Sequence, residues 1–197
     1  CSATLARTKA MSHYIDILLR PDPEFPAHQL MAALYAKLHR VLANVQSTTI
    51  AVTFPGYQTG PATLGSTLRL LGPRADLDRL MEHDWLKGMR DHTELLPVAV
   101  VPAGAAQRNL RRVQAKSNPD RLRRRQMRRH GLSAEEARER VPDSAAKFVS
   151  LPFVALASSS TGQRFPLYLR LGPTVPTAVP GPFNSYGLSS SATTPWF

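Results

Sequence analysis

The chain has 197 residues, a formal net charge of +11 and a hydrophobic fraction of 43%, and this length fits one large domain or two small ones with a real core. Its 17 prolines and 20% charged residues indicate a folded protein rich in turns and exclude a disordered chain. No apolar run approaches the ~20 residues of a transmembrane helix, so we expect no membrane contact. The single cysteine, Cys1, excludes an internal disulfide framework, and we therefore expect a cytoplasmic protein.

The first ten residues lack the apolar core of a signal peptide, and Met11 after them is typical of a natural start. We therefore treat residues 1–10 as an N-terminal extension. In residues 11–20, Ile15, Ile17 and Leu19 alternate with other side chains at a period of two, which predicts a first strand.

A long amphipathic helix is predicted over residues 27–45. Its apolar side chains recur every three or four positions and share one face. They are Leu30, Met31, Leu34, Tyr35, Leu38, Val41, Leu42 and Val45.

Three further strands and a second helix are predicted in the first half of the chain. The strands are 48–54, 66–72 and 95–102, and the helix is 75–86. The resulting order β-α-β-β-α-β is the ferredoxin-like arrangement. This fold hosts many functions, RNA recognition among them, so it does not settle the function alone.

The chain changes character after this arrangement, so we predict an α+β protein with a ferredoxin-like domain (11–104) and a C-terminal domain (105–197). In the second domain, Asn118 and Pro119 open a helix, and Gly131 ends it.

Two kinds of element follow that helix. Ser133 and Glu136 have the spacing of a capping box, which opens a short helix ended by Pro142. Residues 151–158 and 164–170 are predicted to form an antiparallel pair of strands.

The stretch RVQAKSNPDRLRRRQMRRH concentrates the positive charge of the chain. Ten Lys or Arg and one acid lie between Arg108 and His130, which gives +9 in 23 residues. Five of the arginines share one face of the predicted helix, namely Arg121, Arg124, Arg125, Arg128 and Arg129.

A solvated helix face usually mixes both signs of charge, and this one does not. The opposite face, with Leu122 and Met127, has too little apolar area to enter a membrane. Guanidinium groups suit phosphate, so nucleic acid is the leading partner, although charge does not distinguish DNA from RNA. Just upstream, Arg112 and Gln114 point the same way in an extended segment and suit contacts to guanine and adenine edges.

Candidate chemistry is sparse in this sequence. His39 lies at the margin of the apolar arc of the first helix, where a histidine can act as a general base, although a single histidine there is more often structural. His28 lies on the same side and is equally well explained by structure. His83 and His92 lack the paired spacing of zinc ligands, and the sequence contains no phosphate-binding glycine loop. We therefore expect neither a metal nor a cofactor.

Several stretches together resemble a known family. They are HYIDILLRPDPEFP, KLH at 37–39, RVQAKSNPDRLRRRQMRRH, LPFVALAS, STGQRF, SYGLS and the terminal PWF. From Met11 onward the chain resembles the CRISPR-associated endoribonuclease of type I-F systems, which cuts precursor CRISPR RNA at repeat hairpins and serves antiviral defence.

The resemblance implies roles for individual residues. His39 would be the general base, Ser158 would hold the attacking ribose, and Tyr186 would orient His39. Arg112 and Gln114 would read base pairs, and Phe165 would be a stacking platform. Arg125, Arg128 and Arg129 would contact phosphates, and the RNA-binding face also includes Arg121 and Arg124.

The implied activity is metal-independent cleavage at the 3′ base of the repeat stem by the RNA's own 2′-hydroxyl, which leaves a 2′,3′-cyclic phosphate and a 5′-hydroxyl. The implied partners are the stem-loop of precursor and mature guide RNA and the subunits of the type I-F surveillance complex, with a monomer expected in isolation. Two alternatives stay open: a non-catalytic RNA-hairpin-binding scaffold and a DNA-binding regulator that uses the arginine helix.

Overall fold

The computed structural model describes residues 11–114, 119–142, 150–157 and 162–197, with the side chains of residues 119–121 left out. The protein mixes helices and sheets. It divides into two units, the first reaching Arg112 and resuming from Leu151 to Phe197, and the second formed by Val113–Ser150. Strands on both sides of residue 104 belong to the first unit.

The first part of the chain contains seven strands and two helices among its described residues. In chain order they are β1 (His13–Leu19), α1 (Ala27–Asn44), β2 (Ala51–Thr53), β3 (Gln58–Thr59), β4 (Ala62–Thr63), β5 (Thr67–Gly72), α2 (Arg74–Glu82), β6 (Thr93–Leu95) and β7 (Ala99–Val100). A short 3-10 turn, Arg90–His92, precedes β6.

The remaining described elements are β8 (Ala106–Val113), α3 (Pro119–His130), α4 (Ala134–Arg140), β9 (Phe153–Ala157), β10 (Arg164–Val175) and β11 (Thr194–Trp196). Two of these strands, β8 and β11, were not predicted. The sequence of β8 lacks an apolar alternation, and only Leu110 of its eight residues is buried.

The first sheet has the order β2-β5-β1-β6, with β7 also paired to β1. All these pairs are antiparallel. Ile15, Ile17 and Leu19 of β1 are buried in the main core, as the alternation predicts. Helix α2 packs on the strands β1 and β5.

The predicted strand 95–102 is interrupted. β6 ends at Leu95 and β7 begins at Ala99, and both pair with β1. Pro97 lies between them, and a proline has no N–H to donate to a strand ladder.

Helix α1 lies between two sheets, because it packs on β1 and on β9. Seven of its eight predicted apolar residues are buried, and Val45 is half-buried. The second sheet has the order β11-β8-β10-β9. In β9, Val154 and Leu156 are buried while the alternate residues are exposed, as expected for a strand with one covered face.

The first sheet carries a buried ion pair on the face opposite to Ile15 and Ile17. Asp16 and Arg69 lie directly opposite each other in β1 and β5, and the guanidinium binds both carboxylate oxygens at 2.7 and 2.8 Å. Arg69 also donates to the carbonyl of Phe197 at 2.7 Å and lies 4.0 Å from the centre of that ring. These contacts fix the end of the chain against the sheet.

In the second unit, α3 begins and ends where the sequence predicts, except that Asn118 lies outside the described residues. Gly131 after it has φ +63, which glycine adopts without strain. The capping box before α4 is confirmed: Ser133 Oγ accepts from the N–H of Glu136 at 3.2 Å, and the Glu136 carboxylate accepts from the N–H of Ser133 at 2.8 Å. The bond from the N–H of Ser133 and the interaction with the Ser133 hydroxyl hold the pKa of the Glu136 carboxyl below its ordinary value.

Candidate active site

His39 lies on α1, half-buried, at the edge of the helix face that packs in the core. Its Nδ1 is 2.9 Å from the carbonyl oxygen of Ser185. A carbonyl oxygen only accepts hydrogen bonds, so Nδ1 carries the hydrogen. In the neutral imidazole, Nε2 then keeps its lone pair, which is the protonation state that a general base requires.

Tyr186 lies flat against this imidazole. Its ring is stacked on His39 with centroids 3.8 Å apart and an interplanar angle of 3°. Tyr35, one helical turn before His39, donates its hydroxyl to the carbonyl of Tyr186 at 2.7 Å. Burial raises the pKa of the Tyr35 hydroxyl, which therefore stays protonated as a donor. Tyr186, which on its own is typical of a core residue, is half-exposed and contacts the candidate base.

A turn at residues 184–188 presents these groups to α1. The side-chain oxygen of Asn184 accepts from the N–H groups of Tyr186 and Leu188 at 2.9 and 3.3 Å. The carbonyl of Gly187 accepts from the N–H of Val52 in β2 at 2.9 Å. The turn is thus fixed both internally and to the first sheet.

Gly187 is required by conformation and by space. Its φ is +67, and a Cβ at this position would lie 2.4 Å from Cγ2 of Val52. The motif SYGLS contains this glycine, but the residues that it approaches lie far away in the sequence. Sequence reasoning therefore missed Asn184, Ser185 and Gly187 as supports of His39, and the only signal for them is the turn-forming composition of Asn-Ser-Tyr-Gly.

Replacing Gly187 by alanine is expected to destabilise the protein by about 1–3 kcal/mol beyond the cost of the backbone conformation, because the methyl group overpacks Val52. Gly104 is the matched control, since its φ is +78 and a Cβ there meets nothing within 4 Å. Gly104→Ala should cost only the about 1–2 kcal/mol of a left-handed alanine. Urea denaturation of both variants measures the difference, and equal losses would show that the Val52 contact is unimportant.

Two of the predicted RNA contacts come together on the second sheet. The guanidinium carbon of Arg112, an exposed residue of β8, lies 5.7 Å from the centre of the Phe165 ring. Phe165 in β10 is paired with Leu156 of β9 and is half-buried against the main core. An arginine over an aromatic ring is a cation–π contact, and it holds the guanidinium beside a flat apolar surface. Gln114, after β8, is exposed.

Helix α3 exposes most of its arginine face. Arg124, Arg125, Arg128 and Arg129 are exposed, whereas Leu122, Gln126 and Met127 are half-buried. His130, at the end of the helix, is also exposed. Arg123 donates to the carbonyl of Val141 at 2.9 Å, beyond the end of α4. The side chain of Arg121 lies outside the described residues.

Ser158 also lies outside the described residues, one position after β9. Across the described ranges, no group of three or more His, Cys, Asp or Glu side chains is arranged to hold a metal ion, and none of the helices described is long and apolar enough to cross a membrane. His92 instead pairs with Asp22, at 2.9 Å between Nδ1 and Oδ2.

Comparison with known proteins gives a consistent result. A family model described as CRISPR-associated protein (Cas_Csy4) matches residues 14–197. The CRISPR-associated endonuclease Cas6/Csy4 of Pseudomonas aeruginosa (strain UCBPP-PA14) is 51% identical over 187 residues, which cover 95% of this chain and 100% of the relative. The protein of the same name from Escherichia coli (strain UTI89 / UPEC) is 44% identical over the same shares of both chains. This chain therefore belongs to the Cas6/Csy4 family of CRISPR-associated endonucleases.

Proposed function

We propose that this protein binds the stem-loop of CRISPR repeat RNA and cleaves precursor CRISPR RNA at the 3′ base of the stem without a metal ion. The observation that best supports this proposal is the environment of His39. Its Nδ1 is bound by the Ser185 carbonyl and its plane is stacked on Tyr186, so one nitrogen is left for proton transfer in a fixed direction.

The RNA supplies the nucleophile in this reaction. Nε2 of His39 takes the proton of the 2′-hydroxyl, the 2′ oxygen bonds to the adjacent phosphorus, and the bond from phosphorus to the 5′ oxygen breaks. The products are a 2′,3′-cyclic phosphate and, once the leaving oxygen takes up a proton, a 5′-hydroxyl. Alignment and one general base are the main needs. Ser158 would hold the attacking ribose, and Tyr186 would keep the base in line.

Stem binding is assigned to the basic surfaces. Arg121, Arg124, Arg125, Arg128 and Arg129 of α3 would hold stem phosphates, as bidentate guanidinium groups do. Arg112 and Gln114 would read base edges, and Phe165 would stack under the terminal base pair. Because the product keeps the stem, the protein would stay on the mature guide RNA and join the other subunits of a type I-F surveillance complex. We propose a monomer for the protein in isolation.

We also propose the ferredoxin-like arrangement for the first sheet, with residues 105–197 serving RNA-hairpin binding. The antiparallel order β6-β1-β5-β2 and the positions of α1 and α2 in the chain support it. In this arrangement α1 carries the base on one side of the sheet.

Incubation of a labelled repeat hairpin with the protein in EDTA tests the proposed function. We expect full cleavage with a cyclic phosphate at the new 3′ end. Binding without cleavage would support the scaffold alternative, and binding of duplex DNA in preference to the hairpin would support the DNA-binding regulator. Cleavage that stops in EDTA would overturn the metal-independent mechanism.

Arg112 and Arg128 are expected to contribute to RNA binding in different ways, one through a base pair and the other through a phosphate. Arg128→Ala should weaken all hairpins alike and flatten the salt dependence of Kd, because each phosphate contact releases counterions. Arg112→Ala should instead relax the preference at one base pair by about 1–3 kcal/mol. Titrations of two hairpins that differ at that pair, at several salt concentrations, separate the effects. A uniform loss in Arg112→Ala would contradict its role as a reader.

A further inference from the structure

A groove of about 650 Å³ lies beside α1, next to the turn of the helix that carries His39. His28, Ala32 and Ala36 line it, and their spacing of four residues puts them on the same helix face as His39, three residues further on. The end of β9, Arg164 at the start of β10, and the segment before β6 form the other walls. Ala36, which lines the groove, lies one helical turn before the candidate base.

An ordered histidine–aspartate pair lies at this groove. Nδ1 of His92 is 2.9 Å from Oδ2 of Asp22. Oδ1 of Asp22 accepts from the N–H groups of Glu24 and Phe25 at 2.8 and 2.9 Å, and these bonds hold the pKa of Asp22 below its ordinary value. The carboxylate is thus an acceptor for Nδ1–H, which leaves Nε2 of His92 as the nitrogen that can meet a ligand.

The lining of the groove suits one nucleotide. Arg164 provides donors for a phosphate, and His28 and His92 donate to it when both of their ring nitrogens carry a hydrogen. Of the described residues that line the groove none is an Asp or Glu. Phe25, whose surface is 44% exposed, lies edge-on to His92 at 5.9 Å between ring centroids. An exposed aromatic ring near an arginine is how proteins hold single-stranded RNA. The volume falls within the roughly 300–1,000 Å³ of pockets that hold small ligands.

We propose that this groove binds the nucleotide on the 3′ side of the scissile phosphate, which belongs to the strand that leaves on cleavage. His92 and Arg164 contact its phosphate, and Phe25 stacks on its base. The proposal rests on the proposed function, since it takes His39 as the point of cleavage. Its consequence is that the protein holds the precursor on both sides of the cut and keeps only the stem afterwards.

Two RNAs test the proposal in the intact protein. One is the repeat stem-loop that ends at the cut, and the other carries two more nucleotides on its 3′ side. Both have a 2′-deoxy sugar before the cut, so that neither is cleaved. We expect the extension to lower Kd about tenfold, as one stacked base and one phosphate contact do. His92→Ala, Arg164→Ala and Phe25→Ala should each remove most of that gain and leave the Kd of the shorter RNA unchanged.

His83→Ala is the matched control, because His83 is exposed and lies outside the groove, and it should leave both Kd values unchanged. Thermal unfolding identifies any variant that fails to fold. If His92→Ala fails to fold, Arg164→Ala still tests the proposal, because the side chain of Arg164 is exposed. Equal Kd values for the two RNAs, or a gain that survives in all three variants, would overturn the proposal. A gain that depends on His92 but needs an extension on the 5′ side would show that the groove holds the other flank. Failure of the shorter RNA to bind would instead count against the proposed function.

Discussion

His39→Ala is expected to lower the rate of hairpin cleavage by about 10²–10⁴-fold, the usual contribution of a general base. This corresponds to roughly 3–5 kcal/mol of activation free energy. The affinity for the hairpin should stay within about tenfold, or about 1.4 kcal/mol, because His39 is assigned to the 2′-hydroxyl and not to the stem. Single-turnover cleavage and a separate binding titration measure the two quantities.

The geometry allows a sharper form of this experiment. Removal of the imidazole leaves a space between α1 and Tyr186, whose ring was stacked at 3.8 Å on it. Added imidazole should therefore restore part of the cleavage by His39→Ala, and His83→Ala, at an exposed position away from the site, should cleave at the normal rate. Full-rate cleavage by His39→Ala without imidazole would remove His39 as the base.

The first helix could be predicted well because its information is local. Apolar side chains every three or four residues define the buried face, and the prediction of 27–45 matches α1 to within one residue. The ends of α3 and the start of α4 are equally local. Pro119 opens α3, Gly131 follows its last residue, and Ser133 caps the start of α4.

The strands β8 and β11 could not be predicted, for a different physical reason. β8 is largely polar, and β11 has three residues with Pro195 in the middle. β11 is a strand because it pairs with β8 across more than 80 residues, as Thr194 does with Arg108, and β8 also pairs with the distant strand β10. A strand that depends on a distant partner leaves little local pattern to detect.

The candidate site shows the same contrast. Placing His39 at the margin of the apolar arc needed only the helical period, and the half-buried position agrees with it. Its hydrogen-bond partner could not be found, because the acceptor is the backbone carbonyl of Ser185, 146 positions away. Every residue has such a carbonyl, so side-chain identity carries no signal for it. The tautomer of the imidazole, with its hydrogen on Nδ1, follows only from the folded structure.

A single oxygen atom of the RNA tests the mechanism most directly. A repeat hairpin with one 2′-deoxy sugar immediately 5′ of the scissile phosphate should bind nearly as well as the all-RNA hairpin but should not be cut. Binding should survive because the affinity is assigned to stem phosphates and base edges, and one lost ribose hydrogen bond is worth only about 0.5–1.5 kcal/mol. Gel analysis of the product and a filter-binding titration measure the two effects.

The same substitution moved one nucleotide further upstream is the control, and that hairpin should be cut at the normal rate because its attacking 2′-hydroxyl is intact. An enzyme that activates water on a metal ion would behave in the opposite way, since it would cut the deoxy hairpin and stop in EDTA. Cleavage of the deoxy hairpin would therefore show that Nε2 of His39 has no 2′-hydroxyl proton to accept. The Asp22–His92 pair, with an ionised carboxylate already holding Nδ1 of the histidine, would then be the next group to test as a base for water.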